Sequence, residues 1–188
     1  MDLYDEIDCV TDRRRPGWRA RIVIDDDASE PGGDALAPAL LTGRDGHARI
    51  AAAVYQDEHA EEILHAWRHF SDRDQFIRYL RLVHGTTALA TAAGGDTTVL
   101  IFDTSGYRAH AGITGTVDLT AERDEWQAWL DGDVYGVIVE RATQWPPCVH
   151  CGRAVPAGWV HADACWGFYG HTYATEQALH LLRAAARH

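Results

Sequence analysis

Three of the chain's four cysteines fall in one segment, PPCVHCGRAVPAGWVHADACWGFYG, Pro146 to Gly170. That clustering constrains the fold more than any other feature. Cys148-x-x-Cys151 followed by Gly152 has the form of a zinc knuckle, because glycine permits the turn that brings two sulfurs to one ion. Further on, His161-x-x-x-Cys165 offers an imidazole and a third thiolate, on one helical turn or a tight loop. Three thiolates and an imidazole are a soft set suited to Zn²⁺. Cys148, Cys151, His161 and Cys165 are therefore expected to close a structural tetrahedron, with His150 as the substitute for His161. A full coordination sphere restrains a loop-like segment and does no chemistry. Cys9 is left over and is expected to be a small buried hydrophobe.

With 188 residues and 46% hydrophobic content, the chain can bury a sizeable core. No apolar run approaches the roughly 20 residues that span a bilayer. The start, MDLYDEIDCV, lacks the basic and apolar regions of a secretory signal. A cytoplasmic protein without membrane contact is expected. The 17 basic residues are all arginine, a bias that points to a GC-rich bacterial genome, phage or plasmid. A net charge of −11 opposes steering of the whole molecule to nucleic acid or anionic lipid. The local exception is RRRPGWRAR, Arg13 to Arg21. It has the composition of a nucleic-acid-binding arm, with arginines for phosphates and Trp18 for stacking. The simpler expectation is a solvated turn entering a strand, neutralised by Asp12 and Asp25 to Asp27.

Periodicity predicts an α+β fold. Residues 19–24 alternate as a strand, and DDDASEPGGDALAP after it is a loop of turn formers. Residues 49–55 predict a second strand. Ala60, Ile63, Leu64, Trp67 and Phe70 make the apolar stripe of a helix, with Glu62, His65 and His69 on its opposite, solvated face. Ser71 and Asp74 read as a capping box for a second helix that ends at Gly85. Phe76, Tyr79, Leu80 and Val83 form its buried stripe. TTVLIFDT, Thr97 to Thr104, is the clearest strand, and a weaker one is expected over 112–118. Thr120 is placed as the cap of a helix carrying Trp126 and Trp129. A strand over 134–140 and a helix over 174–187 complete the chain. The expectation is a single domain over 1–188, built on one mixed or antiparallel sheet with packed helices. A zinc-knuckle-like insertion occupies 146–170.

The HAE at 59–61 together with the PC-x-x-C at 147–151 looks like the signature of zinc-dependent nucleoside and cytidine deaminases. That resemblance implies zinc on His59, Cys148 and Cys151, with Glu61 moving protons for a metal-bound hydroxide. It also implies a helix after each motif, and the Gly and Pro of GRAVPAGW do not continue one. His65 and His69 with Glu62 form a second, weaker metal-like pattern that reads as a solvated pair. Asp25 to Asp27 gives a faint divalent-metal pattern.

GDVYG at 132–136 and DACWGFYG at 163–170, with TVLIFDTSGY upstream, resemble a C-terminal pattern of small uncharacterised proteins from phages and plasmids of GC-rich bacteria. The likeness covers mainly residues 97–170. It implies an accessory protein of a mobile element that binds a host protein without catalysis. One form of this is an acidic inhibitor of a nucleic-acid-processing defence enzyme. The alternative expectation is the deaminase, with His59 and Glu61 catalytic. Trp159, Trp166, Phe168 and Tyr169 are expected to pack the knuckle onto the sheet, and their exposure would mark a partner surface.

Overall fold

The computed structural model describes residues 5–32, 37–51, 59–143 and 158–187. In chain order the first elements are β1 (Glu6–Thr11), β2 (Trp18–Ile24), β3 (Ala39–Thr42), β4 (Ala48–Ala51), α1 (Ala60–His69) and α2 (Arg73–Val83). They are followed by β5 (Leu89–Gly94), β6 (Thr97–Phe102), α3 (Ser105–His110) and α4 (Thr120–Asp131). The last are β7 (Val134–Thr143), β8 (Gly158–Tyr169) and α5 (His171–Ala185). The class is α+β, as expected, but the strands form two four-stranded antiparallel sheets rather than one. The chain divides into two compact units, Met1–Ala28 with Asp133–His188, and Ser29–Gly132.

The Ser29–Gly132 unit has strand order β4-β3-β6-β5 and helices on both faces of the sheet. Alternation along β3 and β6 explains this layering. Leu40, Leu100 and Phe102 pack with Ile63 of α1 and with Phe76 and Leu80 of α2. Leu41, Val99 and Ile101 point the other way and pack with Tyr107 of α3 and Trp126 of α4. A strand buried on both faces is apolar at successive positions, which is why Val99 to Phe102 are so legible. Among the described residues Trp126 is the largest fully buried side chain, and its indole N–H has no hydrogen-bond partner there.

Both helices of the α1–α2 pair lie where periodicity puts them, with local corrections. Asp72, not Ser71, caps α2: its carboxylate accepts from the Asp74 amide. Gly85 follows at φ +66°, the left-handed turn expected there. Val83 is exposed rather than buried, whereas Phe76 and Leu80 join the sheet-side cluster and Tyr79 packs against it. The strand expected over 112–118 is absent. An irregular segment with Gly112 and Gly115 at positive φ stands in its place. At α4 the N-terminal carboxylate is Asp118, which accepts from both the amide and hydroxyl of Thr120.

The other unit has strand order β1-β2-β7-β8, with α5 on one face. Ala20, Ile22, Val137 and Val139 meet Ala174, Ala178 and Leu182 there. β1 was not expected, because EIDCVT is polar and almost wholly exposed at the edge of the sheet. Cys9 lies in it and is exposed, not buried. The second half of the expected knuckle is also different. Residues 158–169 form β8, which pairs with β7 from Gly158 to Tyr169.

Candidate functional site

Cys148 and Cys151 lie outside the described residues, so the front half of the expected zinc site is not placed. His161 and Cys165 are placed, both in β8. Four residues of extended strand separate their Cα atoms by roughly 13 Å. Register sets His161 against Glu140 and Cys165 against Val137. Glu140 and Val137 are three apart on β7, and side chains alternate along a strand, so the two ligands leave on different faces. Zinc bonds of about 2.0–2.3 Å do not bridge such a pair. The helical turn or tight loop expected at the second pair is corrected to a strand. The strand as described does not bring His161 and Cys165 together.

What β8 does build is an aromatic and charged face, on the side of the sheet away from α5. Alternation puts Arg19, Arg21, Gly136 and Glu140 on that side, opposite Ala20, Ile22, Val137 and Val139. Arg19 Nε lies 2.6 Å from Glu140 Oε2. Arg21 Nε lies 2.6 Å from Glu6 Oε2, and its Nη1 is 3.6 Å from Glu140 Oε1. The Trp159 ring covers the Arg19 guanidinium, 4.4 Å from Cζ to ring centroid. Trp166 lies flat against Gly136: a Cβ there would sit 2.1 Å from the indole. Only glycine admits the ring so close. Phe168 turns into the α5 core, whereas Trp159 and Trp166 remain 42% and 39% exposed.

The arginine-rich stretch divides accordingly. Arg19 and Arg21 belong to this ion-pair network, and Arg15 donates to the Arg183 carbonyl of α5. Asp12 accepts from the Arg14 amide and from Arg183, and these contacts hold its carboxyl below the usual range. Arg13 and Arg14 stay exposed in the β1–β2 turn. Asp25 accepts from the Gly167 amide at 3.1 Å, a contact that pins β8 at its bulge.

In the Ser29–Gly132 unit, His59 stands at the N-cap position of α1 with Glu61 in the first turn. His59 Nδ1 is 3.1 Å from Glu62 Oε2, and its ring meets that of His84 edge-on at 5.5 Å. His84 is buried and bonds through Nε2 to the Tyr79 hydroxyl at 3.0 Å. Burial pushes the Tyr79 phenol above its ordinary value, helped by the charge of Glu62. Glu61, Glu62, His65, His69, Phe70 and Tyr79 line a shallow cleft of about 670 Å³. His65 and His69 are exposed, as expected. Tyr79 and His84 were not expected in a polar group. Both lie on or just after the α2 stripe, and only the packing of α1 on α2 brings them to His59.

Comparison with known protein families, with curated proteins and with solved structures finds no match.

Proposed function

We propose that the protein works by binding another protein without catalysis, as an accessory factor of a mobile genetic element. The observation that carries this reading is the face holding Trp159 and Trp166. Two half-exposed tryptophans on one strand, one stacked on an arginine that is itself held by a carboxylate, are rigid anchors of the kind that dominate interfaces. Charge suggests what the partner is like. The Ser29–Gly132 stretch carries sixteen acidic residues against eight arginines. An excess of that size steers a basic surface towards it. A host protein with a basic nucleic-acid-binding surface fits, and occupying that surface would inhibit it.

The experiment is affinity capture from a GC-rich bacterial host, followed by calorimetry with the purified partner. Trp159→Ala and Trp166→Ala are each expected to weaken binding by about tenfold or more. Duplex DNA is expected to compete, and affinity to fall with added salt. Unchanged affinity in both variants would overturn the proposal.

A deaminase reading is favoured by one feature, the placement of His59 and Glu61 at the start of α1. Against it, the Gly and Pro of GRAVPAGW do not continue the helix that the family keeps behind the second motif. Turnover of cytidine or adenosine that is lost in Glu61→Gln would establish that alternative.

A further inference from the structure

We propose that His65 and His69 form a divalent transition-metal site on α1, separate from the cysteine segment and from the tryptophan face. Residues four apart on a helix stand one above the other, about 6 Å apart along the axis. Here the two rings lie closer than that, with centroids 4.1 Å apart and planes tilted by 30°. A shared ion needs one nitrogen of each ring at about 2.0–2.1 Å, so on binding the rings turn from this tilted stack until those nitrogens converge.

The tautomer of His69 is set for this. Its Nδ1 lies 3.1 Å from the His65 carbonyl oxygen, which can only accept. Nδ1 therefore carries the proton and Nε2 carries the free lone pair. A ring nitrogen donating to a backbone carbonyl while the other faces the ion is the usual arrangement of a metal-binding histidine. Glu61 and Glu62 line the same cleft one turn earlier and lend it negative potential. Among the described residues no group of three or more His, Cys, Asp or Glu is arranged to hold an ion. The site is thus two imidazoles, with solvent completing the coordination. Imidazole donors suit Zn²⁺, Ni²⁺ or Cu²⁺ rather than Mg²⁺ or Ca²⁺.

The test is a Zn²⁺ titration of the full chain, followed by the ring ¹⁵N signals of its histidines. The Nε2 signals of His65 and His69 are expected to shift together and to saturate at one equivalent for this site. His65→Ala and His69→Ala should each weaken that binding at least tenfold, whereas His180→Ala on α5 should leave it unchanged. The same titration of Cys148→Ser/Cys151→Ser should still move both signals, which separates this site from any held by the cysteines. Mg²⁺ should move neither. Rings of His65 and His69 that do not respond to Zn²⁺, or single variants that bind as tightly as the parent, would overturn the proposal.

Discussion

Asp103 follows β6 directly and is wholly buried, yet none of its bonding capacity is idle. Its carboxylate accepts from the Thr87 and Ala88 amides at 2.7 and 2.6 Å, from the Thr87 hydroxyl at 2.7 Å, and from Arg108. Burial alone would raise its pKa. The amides of Ala88 and Thr87, the Thr87 hydroxyl and Arg108 outweigh burial and hold it below the ordinary value. A depressed carboxyl pKa gives stability that is present above the unfolded value, about 3.9, and is lost as pH falls through the folded one. Asp103→Asn is expected to destabilise the chain by about 3–5 kcal/mol, because Arg108 loses its buried partner. It should also flatten the fall in stability below about pH 4. Urea unfolding between pH 3 and 6 measures both effects, and an unaltered pH slope would remove Asp103 from the account. Gly136 offers a second residue-scale test. Alanine there must displace the Trp166 ring, at a cost of about 1–3 kcal/mol. A red-shifted tryptophan emission in Gly136→Ala would report the displacement.

At the scale of an element, β8 departs furthest from its local reading. The spacing His161-x-x-x-Cys165 reads as a helical turn or a tight loop, and the structure makes it a strand. What decides is β7, ten residues long and apolar on both sides for most of its length, which offers β8 a complete ladder. Backbone pairing along that ladder separates the two ligands that spacing would unite. Zinc, if held by Cys148 and Cys151, then draws on at most one of them. Metal analysis of purified variants should show loss in Cys148→Ser, and loss in only one of His161→Ala and Cys165→Ser. Loss in both would mean that β8 opens around the ion. α1 shows the opposite balance. Its apolar stripe is dense enough that the helix, its buried Ile63 and its exposed histidines are all legible from periodicity.

For the molecule as a whole, charge is the property with a direct consequence. A net charge of −11, concentrated in Ser29–Gly132, opposes compaction through self-repulsion. Raising NaCl from about 10 to 150 mM shortens the screening length from about 30 to 8 Å. The thermal midpoint is expected to rise over that range, and a fall would show that attractive ion pairs such as Arg21–Glu6 outweigh the repulsion. Charge, the α+β class, the apolar β6 and β7 strands and the faces of α1 and α5 were all fixed by local pattern. Those signals come from burial repeating at the period of a helix or strand, which needs no knowledge of the partner. The division into two sheets, the edge strands β1 and β5, and the strand at 158–169 were decided by pairing between segments far apart in sequence. Trp166 on Gly136 and His84 beside His59 belong to the same class. Such contacts depend on which ladder a segment joins and at what register, and a one-residue slip would turn every side chain of β8 to the other face.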